Sequence, residues 1–144
     1  MTIKRLLRDL DLRVRTIKPS DKIATAISQL ARDDTSALVV TNDNKSVLGI
    51  LSGTDIVKYL NDKGSVPDHL LVSELMTQNV IYCDASEKVQ RIEQLMTEHN
   101  VRHIPITDDG VLRAIVNILD VVRYRMQSAE KEAGQLRDYV SGKV

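Results

Sequence analysis

Residues 49–55 read GILSGTD and residues 114–120 read AIVNILD, and this duplicated stretch is the strongest indication of the fold. In each copy an apolar run ends at a small polar residue, Ser52 or Asn117, and an acidic residue follows three positions later, at Asp55 or Asp120. A Ser or Asn followed at this spacing by a carboxylate is typical of a helix start. Each copy therefore predicts a strand that leads directly into a helix.

The duplication extends to the residues before each copy of this stretch. Residues 17–41 match residues 81–107 in the order of their apolar, turn and acidic positions. Both segments contain an apolar stripe at helical spacing, followed by a short run rich in β-branched residues. This run and the apolar run after it are predicted strands. They cover residues 36–41 and 46–51 in the first copy and residues 102–107 and 111–116 in the second. Each half is predicted to be β-α-β-β-α, with residues 61–72 as the connector.

Composition indicates a globular chain of ordinary size. Its 144 residues, 42% hydrophobic and 28% charged, suffice for one packed unit or for two small halves that share a core. Twenty Lys and Arg balance twenty Asp and Glu, which argues against the broad positive surface that nucleic-acid binding uses. No apolar run is long enough to span a membrane or to form a signal peptide. We therefore expect a cytoplasmic protein with no nucleic-acid or membrane partner.

The duplicated order of elements resembles a tandem pair of CBS domains, the regulatory unit also called a Bateman module. The resemblance covers about residues 8–130, and it also rests on residues 72–81, VSELMTQNVI, which are typical of the start of a second copy. It implies an α+β fold with α/β-type layers, in which two β-α-β-β-α repeats pack about a pseudo-twofold axis. The expected parts are a first CBS domain over 8–64, a second over 72–130 and a C-terminal helical extension over 131–144.

The resemblance also implies a function. Such pairs commonly bind adenosyl compounds in two clefts between the repeats: AMP, ADP, ATP, NAD(H) or S-adenosylmethionine. The nucleotide is then a regulatory ligand and not a catalytic cofactor. We therefore expect a stand-alone module, with no attached catalytic domain, that senses an adenine nucleotide or the energy state. The alternative is a structural adaptor with empty clefts, which dimerises or docks on an unidentified target protein.

Asp55 and Asp120 are the candidate ribose ligands, because a carboxylate accepts the protons of both hydroxyls of a ribose diol. Ser52, Thr54 and Asn117 stand beside them at the predicted helix starts, where backbone N–H groups can face an anion. The alternative is a capping box, in which the same side chains satisfy backbone donors without any ligand. One Ser can serve both purposes.

Phosphate contacts are harder to assign. Family members often carry a basic residue just before each ribose Asp, but Thr54 and Leu119 occupy these positions. Arg102 and His103 are the candidates for the missing positive charge. The alternatives are a solvated surface cation for Arg102 and a packed strand residue for His103.

The two clefts are therefore expected to differ. The cleft with Arg102, His103 and Asp120 should favour a charged nucleotide. The cleft with Ser36, Ala37 and Asp55 should prefer an adenosyl group with less phosphate. The expected wall residues for the adenine base are Ile17, Lys18, Ala37 and Leu38 in one cleft and Ile81, Tyr82, Ile104 and Pro105 in the other. Apolar walls with a few polar groups suit a nucleotide pocket, but the same apolar residues also suit a core.

The C-terminal residues predict a helix that packs on another helix. Apolar side chains recur at spacings of four and three residues, as in a coiled-coil seam. These residues are Val122, Met126, Ala129, Ala133, Leu136 and Val140. We expect a homodimer formed through this seam. The alternative is that the helix covers its own domain.

Catalysis is not expected. The single Cys83 has no acid or base partner identifiable from spacing, so it is a poor candidate nucleophile. The three His residues and Cys83 show no zinc-ligand spacing. Walker loops and Gly-rich dinucleotide fingerprints are also missing from the sequence. We expect neither an enzyme nor a metal site.

Overall fold

The computed structural model describes residues 1–33 and 35–142. Its elements in chain order are α1 (Ile3–Asp9), β1 (Thr16–Ile17), α2 (Ile23–Arg32), β2 (Ala37–Val40), β3 (Gly49–Ser52), α3 (Gly53–Lys63), α4 (Val72–Leu75), β4 (Cys83–Asp84), α5 (Val89–His99), β5 (His103–Asp108), β6 (Val111–Asn117) and α6 (Ile118–Val140).

Each half of the chain forms its own three-stranded sheet. The strand orders are β1-β2-β3 and β4-β5-β6. In both sheets the first pair of strands is parallel and the second pair is antiparallel. The first strand reaches its parallel neighbour through a helix, and the antiparallel pair needs only a turn. The predicted β-α-β-β-α order and the α+β class are confirmed in both halves.

Each half has its own apolar core. Strand β2 is buried at all four of its positions, as expected for a short apolar strand that is covered on both faces. The core of the first half includes Ile23, Leu38 and Leu51. The core of the second half includes Ile92 and Ile104.

The helix α1 belongs to the core of the second half, although it precedes the first half in the sequence. Its Ile3 and Leu6 side chains are fully buried there, among the residues of the second core. The Ile3 backbone N–H donates to the Glu87 carbonyl at 2.9 Å, and the Lys4 N–H donates to the Ala85 carbonyl at 2.9 Å. Residues 10–15 must therefore cross from the second half to the first, a path that the sequence analysis did not predict.

Strand β3 begins three residues later than predicted. The Asp43 carboxylate accepts the backbone N–H groups of Lys45 and Ser46 at 2.9 and 2.8 Å, which turns the chain away from the ladder. The strand then runs beside the segment that follows α4, where Ile50 and Thr77 exchange backbone hydrogen bonds of 3.0 and 2.8 Å. This contact fixes the position of the residues that lead into the second half.

The helix α6 is continuous from Ile118 to Val140, with no break at the end of the predicted second domain. The predicted extension forms its last turns, and residues 143 and 144 lie outside the described residues. The last buried side chain of α6 is Tyr124, so the helix continues beyond the body of the molecule. In residues 1–33 and 35–142 no helix combines the length and the apolar character needed to cross a membrane.

Gly49 allows the close contact between β3 and the segment that follows α4. A Cβ at this position would lie 2.8 Å from both the Met76 sulfur and the Thr77 carbonyl oxygen. We expect Gly49→Ala to lower the free energy of unfolding by about 1–3 kcal/mol, the usual cost of overpacking. The control is Gly53→Ala, because a Cβ there meets no atom within 4 Å. Urea unfolding of both variants tests this; equal midpoints for Gly49→Ala and the parent protein would contradict it.

Candidate functional site

Two clefts lie between the halves, and residues of both halves line each one. The Asp55 cleft has a volume of about 440 Å³ and is lined by Ile50, Ser52, Thr54, Asp55, Lys58, Thr77, Asn79, Val80, Ile81, Asn100, Val101, Arg102 and His103. The Asp120 cleft has a volume of about 340 Å³ and is lined by Asp11, Leu12, Arg13, Arg15, Asp33, Thr35, His103, Ile115, Asn117 and Asp120. Both volumes lie in the range of small-molecule sites.

A capping box holds Asp55 at the start of α3. Its Oδ2 atom accepts the Ser52 backbone N–H at 2.9 Å and the Ser52 hydroxyl at 3.0 Å. In return the Ser52 Oγ atom accepts the Asp55 backbone N–H at 3.3 Å. Within residues 1–33 and 35–142, no protein group donates to the Asp55 Oδ1 atom. The cap therefore occupies one carboxylate oxygen and leaves the other able to accept from a ligand.

Asp120 has the same cap but a second partner. Its Oδ2 atom accepts the Asn117 backbone N–H at 2.9 Å, and Asn117 Oδ1 accepts the Asp120 N–H at 2.9 Å. The Asp120 Oδ1 atom also accepts from the Arg123 guanidinium, at 3.1 Å. The Asp120 side chain is only 8% exposed. A ligand that binds this carboxylate through Oδ1 would therefore share that oxygen with Arg123 or displace it.

The capping boxes predicted as the alternative reading are thus both present. They do not decide between capping and ligand binding, since a carboxylate has two oxygens and about four lone-pair sites. The difference between the two Asp residues lies in the oxygen that the cap does not use. In Asp55 this oxygen accepts from no protein donor among the described residues, whereas in Asp120 it accepts from Arg123.

The expected grouping of Arg102 with Asp120 is wrong. Arg102 lines the Asp55 cleft, and His103 lines both clefts. The physical reason is that each cleft combines the helix start of one half with the strand start of the other. Ser36 and Ala37 are likewise not among the residues that line the Asp55 cleft. The second half therefore supplies the positive charge of Arg102 to the Asp55 cleft.

Three further basic residues line the clefts, and the sequence analysis missed them. Lys58 lies one helical turn after Asp55, and Arg13 and Arg15 line the Asp120 cleft from the segment that crosses between the halves. The signal was available: Lys58 follows Asp55 by three positions on one helix, and alternate residues of an extended segment point the same way.

Most of the predicted wall residues lie in the cores. All five of the following are buried, and all but Ile17 lie on the central strands β2 and β5, which are covered on both faces: Ile17, Ala37, Leu38, Ile104 and Pro105. Of the predicted apolar wall residues, only Ile81 lines a cleft. Ile50 and Val80 lie beside it in the lining of the Asp55 cleft. Tyr82 is 59% exposed, and Lys18 is also exposed, outside the lining of both clefts.

His103 sits where the two halves meet. Its Nε2 atom shares a hydrogen bond of 2.7 Å with the Ser36 hydroxyl of the first half. Burial lowers the pKa of His103, and Arg102 lowers it further, against the opposing effect of the Asp120 and Asp55 carboxylates. The ring is therefore neutral at neutral pH, with one donor and one acceptor nitrogen.

Neither a nucleophile nor a metal site is apparent in the part of the chain that the structure describes. Cys83 is buried, and that burial raises the pKa of its thiol to about 11, which keeps it protonated at neutral pH. Residues 1–33 and 35–142 contain no group of three or more His, Cys, Asp or Glu side chains that could hold a metal ion.

The lowered pKa of His103 predicts a pH dependence of stability. The unfolded chain takes up the proton at its ordinary pKa near 6.5, whereas the folded protein takes it up only at lower pH. Stability should therefore fall as the pH drops through about 6.5 towards the folded pKa. Melting temperatures from pH 7.5 to 5.0 should decline less steeply in His103→Gln than in the parent protein. The control His69→Gln, at an exposed position, should keep the full decline. Parallel curves for His103→Gln and the parent would disprove this role.

Comparisons with known proteins agree with this architecture. The family model described as "CBS domain" matches twice, over residues 7–62 and 72–127. The CBS domain-containing protein CBSX3, mitochondrial, of Arabidopsis thaliana is 29% identical over 126 residues, which cover 85% of this chain and 61% of the relative. The chain spans 22% and 66% of the next two curated relatives. It therefore corresponds to less than two thirds of the length of each of these proteins.

Solved structures show the same fold. A CBS-domain containing protein from Agrobacterium tumefaciens is 33% identical, with a TM-score of 0.80 over 87% of this chain and 99% of the other. The structure of CBSX2 in complex with AMP is 24% identical, with a TM-score of 0.71 over 89% of this chain and 98% of the other. With two family matches that together span most of the residues, this chain belongs to the CBS-domain family as a tandem pair of CBS repeats.

Proposed function

We propose that this chain is a regulatory module that binds an adenosyl ligand, with the Asp55 cleft as its principal site. The observation that carries the proposal is the Asp55 carboxylate, which is held by its cap through Oδ2 and keeps Oδ1 available at the cleft. A fixed carboxylate oxygen is a suitable acceptor for a ribose diol.

The rest of the Asp55 cleft suits the other parts of a nucleotide. Ile50, Val80 and Ile81 offer apolar surface for an adenine base, and apolar walls with a few polar groups are typical of such pockets. Arg102 and Lys58 offer positive charge for a phosphate. AMP supplies a base, a ribose and one phosphate, and the related CBSX2 has been solved in complex with AMP. ADP, ATP, NAD(H) and S-adenosylmethionine share the adenosyl part and are the other candidates.

The Asp120 cleft is proposed as a second and weaker site for the same class of ligand. Arg13 and Arg15 line it and offer charge for a phosphate. A ribose there meets an Asp120 Oδ1 atom that already accepts from the Arg123 guanidinium. Because sharing or replacing this charged hydrogen bond costs part of the binding energy, this cleft should fill after the Asp55 cleft.

We infer a regulatory role and not a catalytic one. Among the described residues, those that line the two clefts include no Cys, and the His103 ring bonds to the Ser36 hydroxyl and to no carboxylate. A regulatory module works if its ligand binds one conformation better than another. Because both clefts lie between the halves, an occupied cleft changes the contacts that hold the halves together.

The helix α6 supports homodimerisation. Its apolar residues at seam positions Val122, Met126, Leu136 and Val140 are 48–79% exposed. A helix that leaves the body of the protein is only marginally stable in water without a partner, because tertiary packing supplies most helix stability. We propose that a second copy of the chain packs on this seam. The competing function, an adaptor that docks on a target protein, would use the same face.

We expect Asp55→Ala to weaken AMP binding about 10- to 100-fold, since hydrogen bonds to a charged group are worth about 1.5–3 kcal/mol. Asp120→Ala is the matched control: it removes an equivalent cap, which costs about 0.5–2 kcal/mol of stability, but spares the principal cleft. Isothermal titration calorimetry measures both affinities. A loss in Asp120→Ala with none in Asp55→Ala would overturn the assignment.

A melting screen separates the sensor from the adaptor. AMP at a hundred times its dissociation constant should raise the free energy of unfolding by about 2.7 kcal/mol, which appears as a higher melting temperature. ADP, ATP, NAD(H) and S-adenosylmethionine complete the screen. An adaptor with empty clefts would show no shift with any of the five.

The dimer is tested by introducing charge into the apolar seam. Met126→Lys combined with Leu136→Lys should convert the dimer to a monomer in sedimentation velocity, because two lysines would be buried against their own copies. Gln127→Lys combined with Gln135→Lys adds the same charge on another face of α6 and should leave the dimer intact. A parent protein that sediments as a monomer would refute self-association.

A further inference from the structure

A chain of hydrogen bonds links the two helix starts that carry the ribose candidates. The backbone N–H of Gly53, the first residue of α3, donates to the Ser36 carbonyl at 3.0 Å. In the second half the N–H of Ile118, the first residue of α6, donates to the Arg102 carbonyl at 3.0 Å. The Ser36 hydroxyl and the adjacent His103 ring join these two contacts through their 2.7 Å hydrogen bond.

The His103 ring is the component that the two clefts share. It contributes to the lining of both, and its pKa responds to both the Asp55 and the Asp120 carboxylates. In the strand register His103 lies opposite Asn117, the cap residue of α6. The equivalent residue of the first half is Ala37, which lies opposite Ser52. Ala37 has no ring. The molecule thus has one His103 ring for two clefts.

We propose that the two clefts are negatively coupled through His103, so that a ligand in one lowers the affinity of the other. This rests on the proposed function. A ligand in either cleft that bonds to the Nε2 atom takes it from the Ser36 hydroxyl. The second ligand then binds without that hydrogen bond, because Nε2 bonds to one partner at a time as a donor or an acceptor.

The expected size of the coupling follows from the one hydrogen bond, to His103 Nε2, that the second ligand cannot form. One hydrogen bond contributes a factor of about 2 to 12 in affinity, so the second AMP should bind roughly fivefold more weakly than it binds alone. The coupling is reciprocal, because each ligand changes the affinity of the other by the same factor.

Calorimetric titrations with AMP test the proposal. Asp55→Ala and Asp120→Ala each leave one cleft with its carboxylate, and their isotherms give the affinity of each cleft alone. We expect the parent isotherm to fall short of the sum of these two, with a second step roughly fivefold weaker. In the His103→Ala background the same three titrations should become additive. The control His69→Ala, at an exposed position in the connector, should retain the coupling.

Each outcome bears on a separate claim. Additive binding in the parent protein overturns the coupling and leaves the proposed function standing. Non-additive binding that persists in His103→Ala overturns the route through His103. No heat of AMP binding in any variant overturns the proposed function, and the coupling fails with it.

The ring signals of the three His residues in NMR spectra give a second readout. AMP should shift the His103 signal in both single-cleft variants. An unshifted His103 signal in either variant contradicts a shared ring.

Discussion

The capping boxes at the starts of α3 and α6 are the constraint on which the clefts depend. Each uses the backbone N–H groups of a strand end and a helix start to orient one Asp side chain. These donors would otherwise lack partners at a helix N-terminus, so the protein gains stability by placing the carboxylate there. The same bonds restrict the carboxylate to one rotamer, which lowers the entropy that a ligand would lose in binding it.

The two halves share a fold but not the chemistry of their clefts. Both Asp residues use one oxygen for the cap, but the other oxygen of Asp120 also accepts from Arg123, which lies one turn further along α6. Basic residues reach the Asp55 cleft from α3 and from the start of β5, but they reach the Asp120 cleft from the segment that crosses between the halves. A duplicated scaffold thus supports two sites of unequal character, because the cleft residues are free to differ while the core residues keep the fold.

The path of the chain ties the halves into one unit. Helix α1 buries Ile3 and Leu6 in the second core, and Thr77, in the segment that leads into the second half, pairs with Ile50 of β3. The chain therefore passes between the halves twice, and each crossing segment is anchored by backbone or core contacts. A ligand that contacts both halves acts on an interface that is already fixed at several points, so small local changes at His103 and Ser36 have consequences on both sides.

The sequence alone determined the duplicated β-α-β-β-α order, the family resemblance and the positions of Asp55 and Asp120, because strand and helix periodicity and helix capping are local properties. The tertiary structure decided which residues share a cleft. Arg102 joined Asp55, and Arg13 and Arg15 joined Asp120, because each cleft combines segments that are distant in the chain. It also decided that Ile17, Leu38 and Ile104 belong to the cores, since an apolar strand residue looks the same in sequence whether it faces a pocket or a packed neighbour.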